Sequence, residues 1–141
     1  MIKKTKYLII ALILFLGCKS DEHPVPNYRF TAYIDLMLPN YNKDVFIVDY
    51  DRYGNRVGVG GVIVYRELSG EYFAFERYCP YDEKISCRVE IAEGNTTAVC
   101  PCCGSEFLII SQDGDVLEGP SVYSLKTYHT RIENGELVIY N

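Results

Sequence analysis

The chain has 141 residues, a net charge of −5, thirteen tyrosines and only two histidines. That length suits one ordinary domain and not two. The acidic balance, with no basic stripe carrying interleaved aromatics, argues against a nucleic-acid binder.

The N-terminus stands apart from that domain. Lys3, Lys4 and Lys6 precede an apolar run, YLIIALILFLG, from Tyr7 to Gly17, and then comes Cys18. A basic head, a short apolar centre and a small residue before the break describe a secretory signal. The run is short for a bilayer span. LFLGC resembles a bacterial lipobox, where cleavage precedes a cysteine that then carries lipid, although Phe15 and Leu16 depart from the usual choices. The resemblance implies a signal peptide over residues 1–17 and acyl chains on Cys18, which together hold a protein firmly to a membrane. KSDEHPVPN, from Lys19 to Asn27, is polar and proline-bearing. It completes a lipidated tether over residues 18–27 and leaves residues 28–141 as the domain. Asp21 and Glu22 resemble retention or surface-export signals of some Gram-negative lipoproteins. Lysines without paired arginines point to the general secretion route, which passes unfolded chains. The expected location is the cell envelope, lipid-anchored outside the cytoplasm, on a periplasmic or surface face where disulfides persist.

From Tyr28 onward the sequence reads as all-β. YRFTAYIDLML, DVFIVDYD, GGVIVYRE, EYFAFERY, TTAVC, EFLIIS, LKTYHTRI and ELVIYN are short runs rich in β-branched and aromatic residues. Turn residues separate them: Tyr53-Gly54-Asn55, Ser69-Gly70, Gly94-Asn95, Asp113-Gly114 and Asn134-Gly135. No stretch of the domain keeps a helical period over three turns. Short strands at regular spacing predict a small sandwich or barrel. GNRVGVGG, from Gly54 to Gly61, lacks the glycine spacing of a dinucleotide loop and no helix follows it, so it reads as a loop or β-bulge.

Beyond Cys18, five cysteines fall between Cys79 and Cys103: Cys79, Cys87, Cys100, Cys102 and Cys103. An odd number outside the cell leaves at least one thiol unpaired unless a metal takes some.

RYCPYDEKISC followed by VCPCCGSEF resembles the two cluster-binding loops of Rieske [2Fe–2S] iron–sulfur domains. The family's first loop has Cys-x-His and its second Cys-x-x-His, with Pro after the cysteine and Gly-Ser after the histidine. Here the first reads Cys79-Pro80-Tyr81 and the second Cys100-Pro101-Cys102-Cys103-Gly104-Ser105. DGDVLEGPSVYSLKTYHTRIENGELVI is similar to the family's following strand, its proline loop at Gly119-Pro120-Ser121 and a closing hairpin. GVIVYRELSGEYFAFERYCP is similar to the hairpin before the first loop. The likeness runs from Tyr28 to Asn141 and implies a small Rieske-like β-sandwich or barrel with two cysteine-bearing loops.

The departure from the family lies in the ligands. Two cysteines bind one iron of a Rieske cluster and two histidines the other. Tyr81 and Cys103 stand at the histidine positions, while His23 falls in the tether and His129 in a late strand. Three states follow. Cys79, Cys100 and Cys103, with Tyr81 or another cysteine, still hold a [2Fe–2S] cluster at a potential lowered by anionic ligands. Or four cysteines bind zinc. Or no metal binds and the cysteines form disulfides. The family implies a pairing, since some members carry a second cysteine in each loop, joined beside the cluster. Cys102 occupies one such position, and Cys87 is the matching candidate for the other. Cys79 would then be left to pair with Cys100 or Cys103. A chain exported unfolded arrives empty in an oxidising space, where neighbouring thiols become disulfides. The expected protein is therefore a metal-free, disulfide-locked binding or structural module without catalytic residues. The alternative is an electron-transfer module with a cysteine-held cluster, and zinc comes third. Tyr81 is expected to fill the former cluster pocket with its ring, and Asp82 and Glu83 to be solvated loop charges. The expected partners are the membrane, through Cys18, and a redox or envelope protein.

Overall fold

The computed structural model describes residues 22–141. The expected signal peptide and the expected lipidation site, Cys18, lie outside the described residues. The strands are β1 (Thr31–Ile34), β2 (Val45–Val48), β3 (Val62–Arg66), β4 (Tyr72–Glu76), β5 (Glu90–Ile91), β6 (Thr97–Val99), β7 (Glu106–Leu108), β8 (Val116–Glu118), β9 (Thr127–Glu133) and β10 (Glu136–Tyr140). They form two antiparallel sheets, a six-stranded one ordered β1-β10-β9-β4-β3-β2 and a four-stranded one ordered β5-β6-β7-β8. The all-β expectation holds. β5 and β8 have no counterpart among the runs picked out by composition.

Period-two alternation explains how the sheets share a core. Successive side chains of a strand point to opposite faces. In β3, Val62 and Val64 enter a cluster with Ala32, Ile34, Phe46, Leu137 and Ile139. Ile63, between them, enters a second cluster with Phe75, Val89, Ala98, Phe107 and Ile109. β4 divides the same way, Ala74 to the first and Phe75 to the second. The second cluster also takes in Cys79, Cys87 and Cys100. The cysteines are thus seated by the packing of Phe75 and Phe107, both fully buried.

The segment from Gly54 to Gly61 is a loop, as its glycine spacing suggests, and it wraps a buried carboxylate. Glu76 at the end of β4 is wholly buried. It accepts the backbone N–H groups of Val59, Gly60 and Tyr78, each at 2.7 Å, and the hydroxyl of Tyr128 at 2.6 Å. Four donors satisfy a charge that would otherwise be costly to bury. They also pin the start of the loop that carries Cys79.

The segment just before Tyr28 packs against the domain. Val25 is buried, and the His23 ring bonds through Nε2 to the Ser124 carbonyl at 3.0 Å. Asn141 donates from Nδ2 to Asn27 Oδ1 at 2.8 Å and to the Tyr28 carbonyl at 2.7 Å. Within residues 23–27, one apolar side chain and one imidazole thus find seats on the domain.

Candidate metal centre

Three loops meet at one end of the small sheet: residues 77–89 between β4 and β5, residues 100–105 between β6 and β7, and residues 119–126 between β8 and β9. The first is clamped at its base. Val89 N–H donates to the Arg77 carbonyl at 2.7 Å, and Arg77 Nε donates to the Val89 carbonyl at 3.0 Å. Arg77 Nη1 reaches Asp49 Oδ1 at 3.2 Å, and Arg88 Nη1 reaches the same oxygen at 3.3 Å. Burial pulls the Arg77 pKa down, although the Asp49 carboxylate opposes this. Glu83 N–H closes a turn onto the Cys79 carbonyl at 3.0 Å. In the second loop, Gly104 N–H donates to the Cys100 carbonyl and Cys100 N–H to the Ser105 carbonyl, both at 2.9 Å. The third loop is tied to the second where the Ser105 hydroxyl accepts Ser121 N–H at 3.0 Å.

A disulfide joins Cys87 to Cys102 across the two cysteine loops, with 5.7 Å between their Cα atoms. Cys79, Cys100 and Cys103 are unpaired. Their sulfurs and a carboxylate oxygen of Asp82 all lie within 4.8 Å of one another. Cys79 and Cys103 are 3.7 Å apart, sulfur to sulfur. The Cys100 thiol donates to Asp82 Oδ2 at 3.1 Å, and the Cys103 thiol to the Ser105 hydroxyl at 3.2 Å. Cys79 and Cys100 are fully buried; Cys103 and Asp82 are half-buried at the mouth. Burial pushes both buried thiols up in pKa. The Asp82 carboxyl is held below its usual range, chiefly by the Cys100 thiol. The two buried thiols thus favour the neutral form beside a carboxylate, and a bound metal ion would displace their protons.

The candidate ligands Cys79, Cys100 and Cys103 come together, whereas Tyr81 is 52% exposed. The group that reaches the thiols from the first loop is Asp82, so its expected role as a solvated charge is corrected. The turn after Pro80 turns residue 82 toward the sulfurs and leaves the bulkier Tyr81 at the surface. The Cys-x-x-Asp spacing on a tight turn is the signal that would have found it. His129 is exposed on β9, and His23 is engaged with Ser124.

A family model described as the Rieske [2Fe-2S] domain matches residues 40–129. The chain is similar to the cytochrome b6-f complex iron-sulfur subunit of Chlorobaculum tepidum, 34% identical over 55 residues. That match spans 39% of this chain and 29% of the relative, so the chain covers under a third of the curated relative's length. Among solved structures, it is similar to the cyanobacterial plasma membrane Rieske protein PetC3 from Synechocystis PCC 6803. The identity is 25% and the TM-score 0.53, over 80% of this chain and 98% of that one. A chain from the complex of reduced oxygenase and oxidized ferredoxin in carbazole 1,9a-dioxygenase is 18% identical, with a TM-score of 0.48 over 79% of this chain and 92% of that one.

Proposed function

This chain belongs to the Rieske [2Fe–2S] domain family, and from that premise we propose that it is an electron-transfer module whose cluster is held through Cys79, Cys100 and Cys103. One observation carries the reading. Three unpaired thiols from two loops converge with a carboxylate inside 4.8 Å, while the other two loop cysteines close a disulfide. Four donor groups match in number and chemistry the four terminal ligands of a [2Fe–2S] cluster, with no imidazole among them. Such a cluster, when bound, supplies one reversible electron.

The chain's own residues supply the rest. Cys79 and Cys100 form the dry wall of the pocket, and Cys103 and Asp82 its half-exposed mouth. The mouth is the short route to a redox partner. Ser105 holds the Cys103 sulfur, and the Cys87–Cys102 bridge holds the loops together. Nothing in this arrangement requires a catalytic group. The lysine-flanked apolar run and Cys18 support lipid anchoring in the cell envelope, with an envelope redox protein as partner.

A second reading has its own observation. The 3.7 Å between the Cys79 and Cys103 sulfurs leaves them poised to join, and in an oxidising space this gives a metal-free, disulfide-locked binding module. The same spacing also suits a single tetrahedral ion such as zinc, whose thiolate–thiolate edge is ~3.8 Å for ~2.3 Å bonds. Iron, zinc and acid-labile sulfide analysis of the protein isolated anaerobically separates the three. The proposal expects a brown protein with about two irons and two sulfides per chain. Colourless protein without iron overturns it in favour of the disulfide-locked form, and zinc without sulfide assigns the single ion.

A further inference from the structure

We propose that Asp82 is the fourth protein ligand of this centre, giving a three-thiolate, one-carboxylate ligand set. The inference rests on the cluster reading above and adds a ligand that the family's Cys-x-His pattern does not contain.

The first support is position. Asp82 Oδ2 lies 3.1 Å from the Cys100 sulfur, and the carboxylate falls within 4.8 Å of all three free thiols. The second is elimination. Tyr81 is exposed, Glu83 is exposed, Cys87 and Cys102 are consumed by their disulfide, and both histidines lie elsewhere. The third is symmetry of burial. Each loop contributes one buried donor, Cys79 or Cys100, and one half-buried donor, Asp82 or Cys103. The buried pair occupies the family's two cysteine positions. The half-buried pair falls at and beside the two positions where the family has imidazoles.

The backbone is shaped to deliver this side chain. Glu83, immediately after Asp82, has φ = 51° and donates its N–H to the Cys79 carbonyl. A non-glycine residue in the left-handed region is uncommon and costs energy. Here it tightens the turn that brings residue 82 to the sulfurs. The chemistry agrees, since carboxylate oxygen and thiolate sulfur both bind iron as anions. The metal charge offsets the repulsion among four anionic ligands.

The test compares wild type with Asp82→Ala, Asp82→Cys and, as a control, Glu93→Ala, each isolated anaerobically. Iron content, the visible spectrum and the electron paramagnetic resonance of the reduced protein are the readouts. Asp82→Ala is expected to hold iron at least about ten-fold more weakly. Asp82→Cys should keep the cluster with a shifted spectrum, and Glu93→Ala, at an exposed carboxylate outside the site, should match wild type. Iron X-ray absorption on wild type adds a measurement that needs no variant and should find one oxygen among the terminal ligands. An Asp82→Ala protein with undiminished iron and an unchanged spectrum overturns the inference and leaves the cluster reading standing. Wild type with an all-sulfur iron shell does the same. Wild type without iron overturns both.

Discussion

The Ser105 hydroxyl accepts the backbone N–H of Ser121 at 3.0 Å and lies 3.2 Å from the Cys103 sulfur. One buried side chain therefore ties the proline loop to the ligand loop. Its own proton is free for the sulfur once Cys103 is a thiolate. Ser105→Ala should cost about 1–3 kcal/mol, because the buried Ser121 N–H loses its partner. It should also lower the reduction potential, since hydrogen bonds to sulfur raise it. Wild type itself is expected near about −400 mV, below the roughly −150 to +300 mV of centres with two imidazoles. Urea unfolding and a redox titration of both proteins check the two expectations.

Gly119 sits against the same serine. Its φ is +99°, and a Cβ there would lie 2.5 Å from Ser105 Cα. Gly70 has a similar φ of +93° but open space around it. Gly119→Ala should therefore destabilise by more than about 2 kcal/mol, and Gly70→Ala by only the backbone part, about 1–2 kcal/mol. Thermal melts of the two variants side by side test whether close approach, and not conformation alone, selects Gly119.

Tyr128 gives the pH dependence. Its hydroxyl donates to Glu76 at 2.6 Å. Burial first, and then the Glu76 charge, raise its pKa. A raised value means that the neutral phenol is the form the fold prefers. The stabilisation is thus complete below the unfolded tyrosine value of about 10 and is lost as pH rises through the folded value. Tyr128→Phe should cost about 1.5–3 kcal/mol at neutral pH, the range for a bond to a charged group. Above about pH 10 that gap between the variant and wild type should shrink. Denaturant midpoints from neutral to alkaline pH measure both effects.

Much of this fold is legible in the chain. Eight strands fall inside runs chosen for β-branched and aromatic residues. β5 and β8 do not, because Glu90-Ile91 and Val116-Leu117-Glu118 each hold a single β-branched residue along with a glutamate and are defined by their neighbours in the small sheet. The loop around Glu76 reads correctly as a loop, but no local pattern reveals that a glutamate in a strand end is its anchor. The Cys87–Cys102 pairing came from likeness to a family, since spacing alone leaves five cysteines with many pairings; the expected second pairing, of Cys79 with Cys100 or Cys103, is absent, and all three are free thiols. Asp82 was hidden for a different reason. An aspartate beside a glutamate in a polar loop is ordinarily solvated, and only the turn closed by Glu83 brings it to the sulfurs. Val25 was hidden in the same way, one apolar side chain in a polar segment whose seat exists only in the folded domain.

The disulfide should matter to stability as well as to the site. Cys87 and Cys102 are 15 residues apart in sequence, and closing such a loop contributes roughly 3 kcal/mol in the chain-entropy model. The double variant Cys87→Ser, Cys102→Ser should lose about that much. Mild reductant should affect wild type and leave the double variant unchanged. Denaturant curves with and without reductant give the comparison.

The most direct test of the central claim is a thiol map of the protein isolated anaerobically without reductant. The protein is alkylated before and after metal removal and read by peptide mass spectrometry. The account predicts a linked Cys87–Cys102 peptide throughout, with Cys79, Cys100 and Cys103 protected before stripping and all three alkylated after it. A Cys79–Cys103 or Cys79–Cys100 linked peptide in the protein as isolated would contradict it.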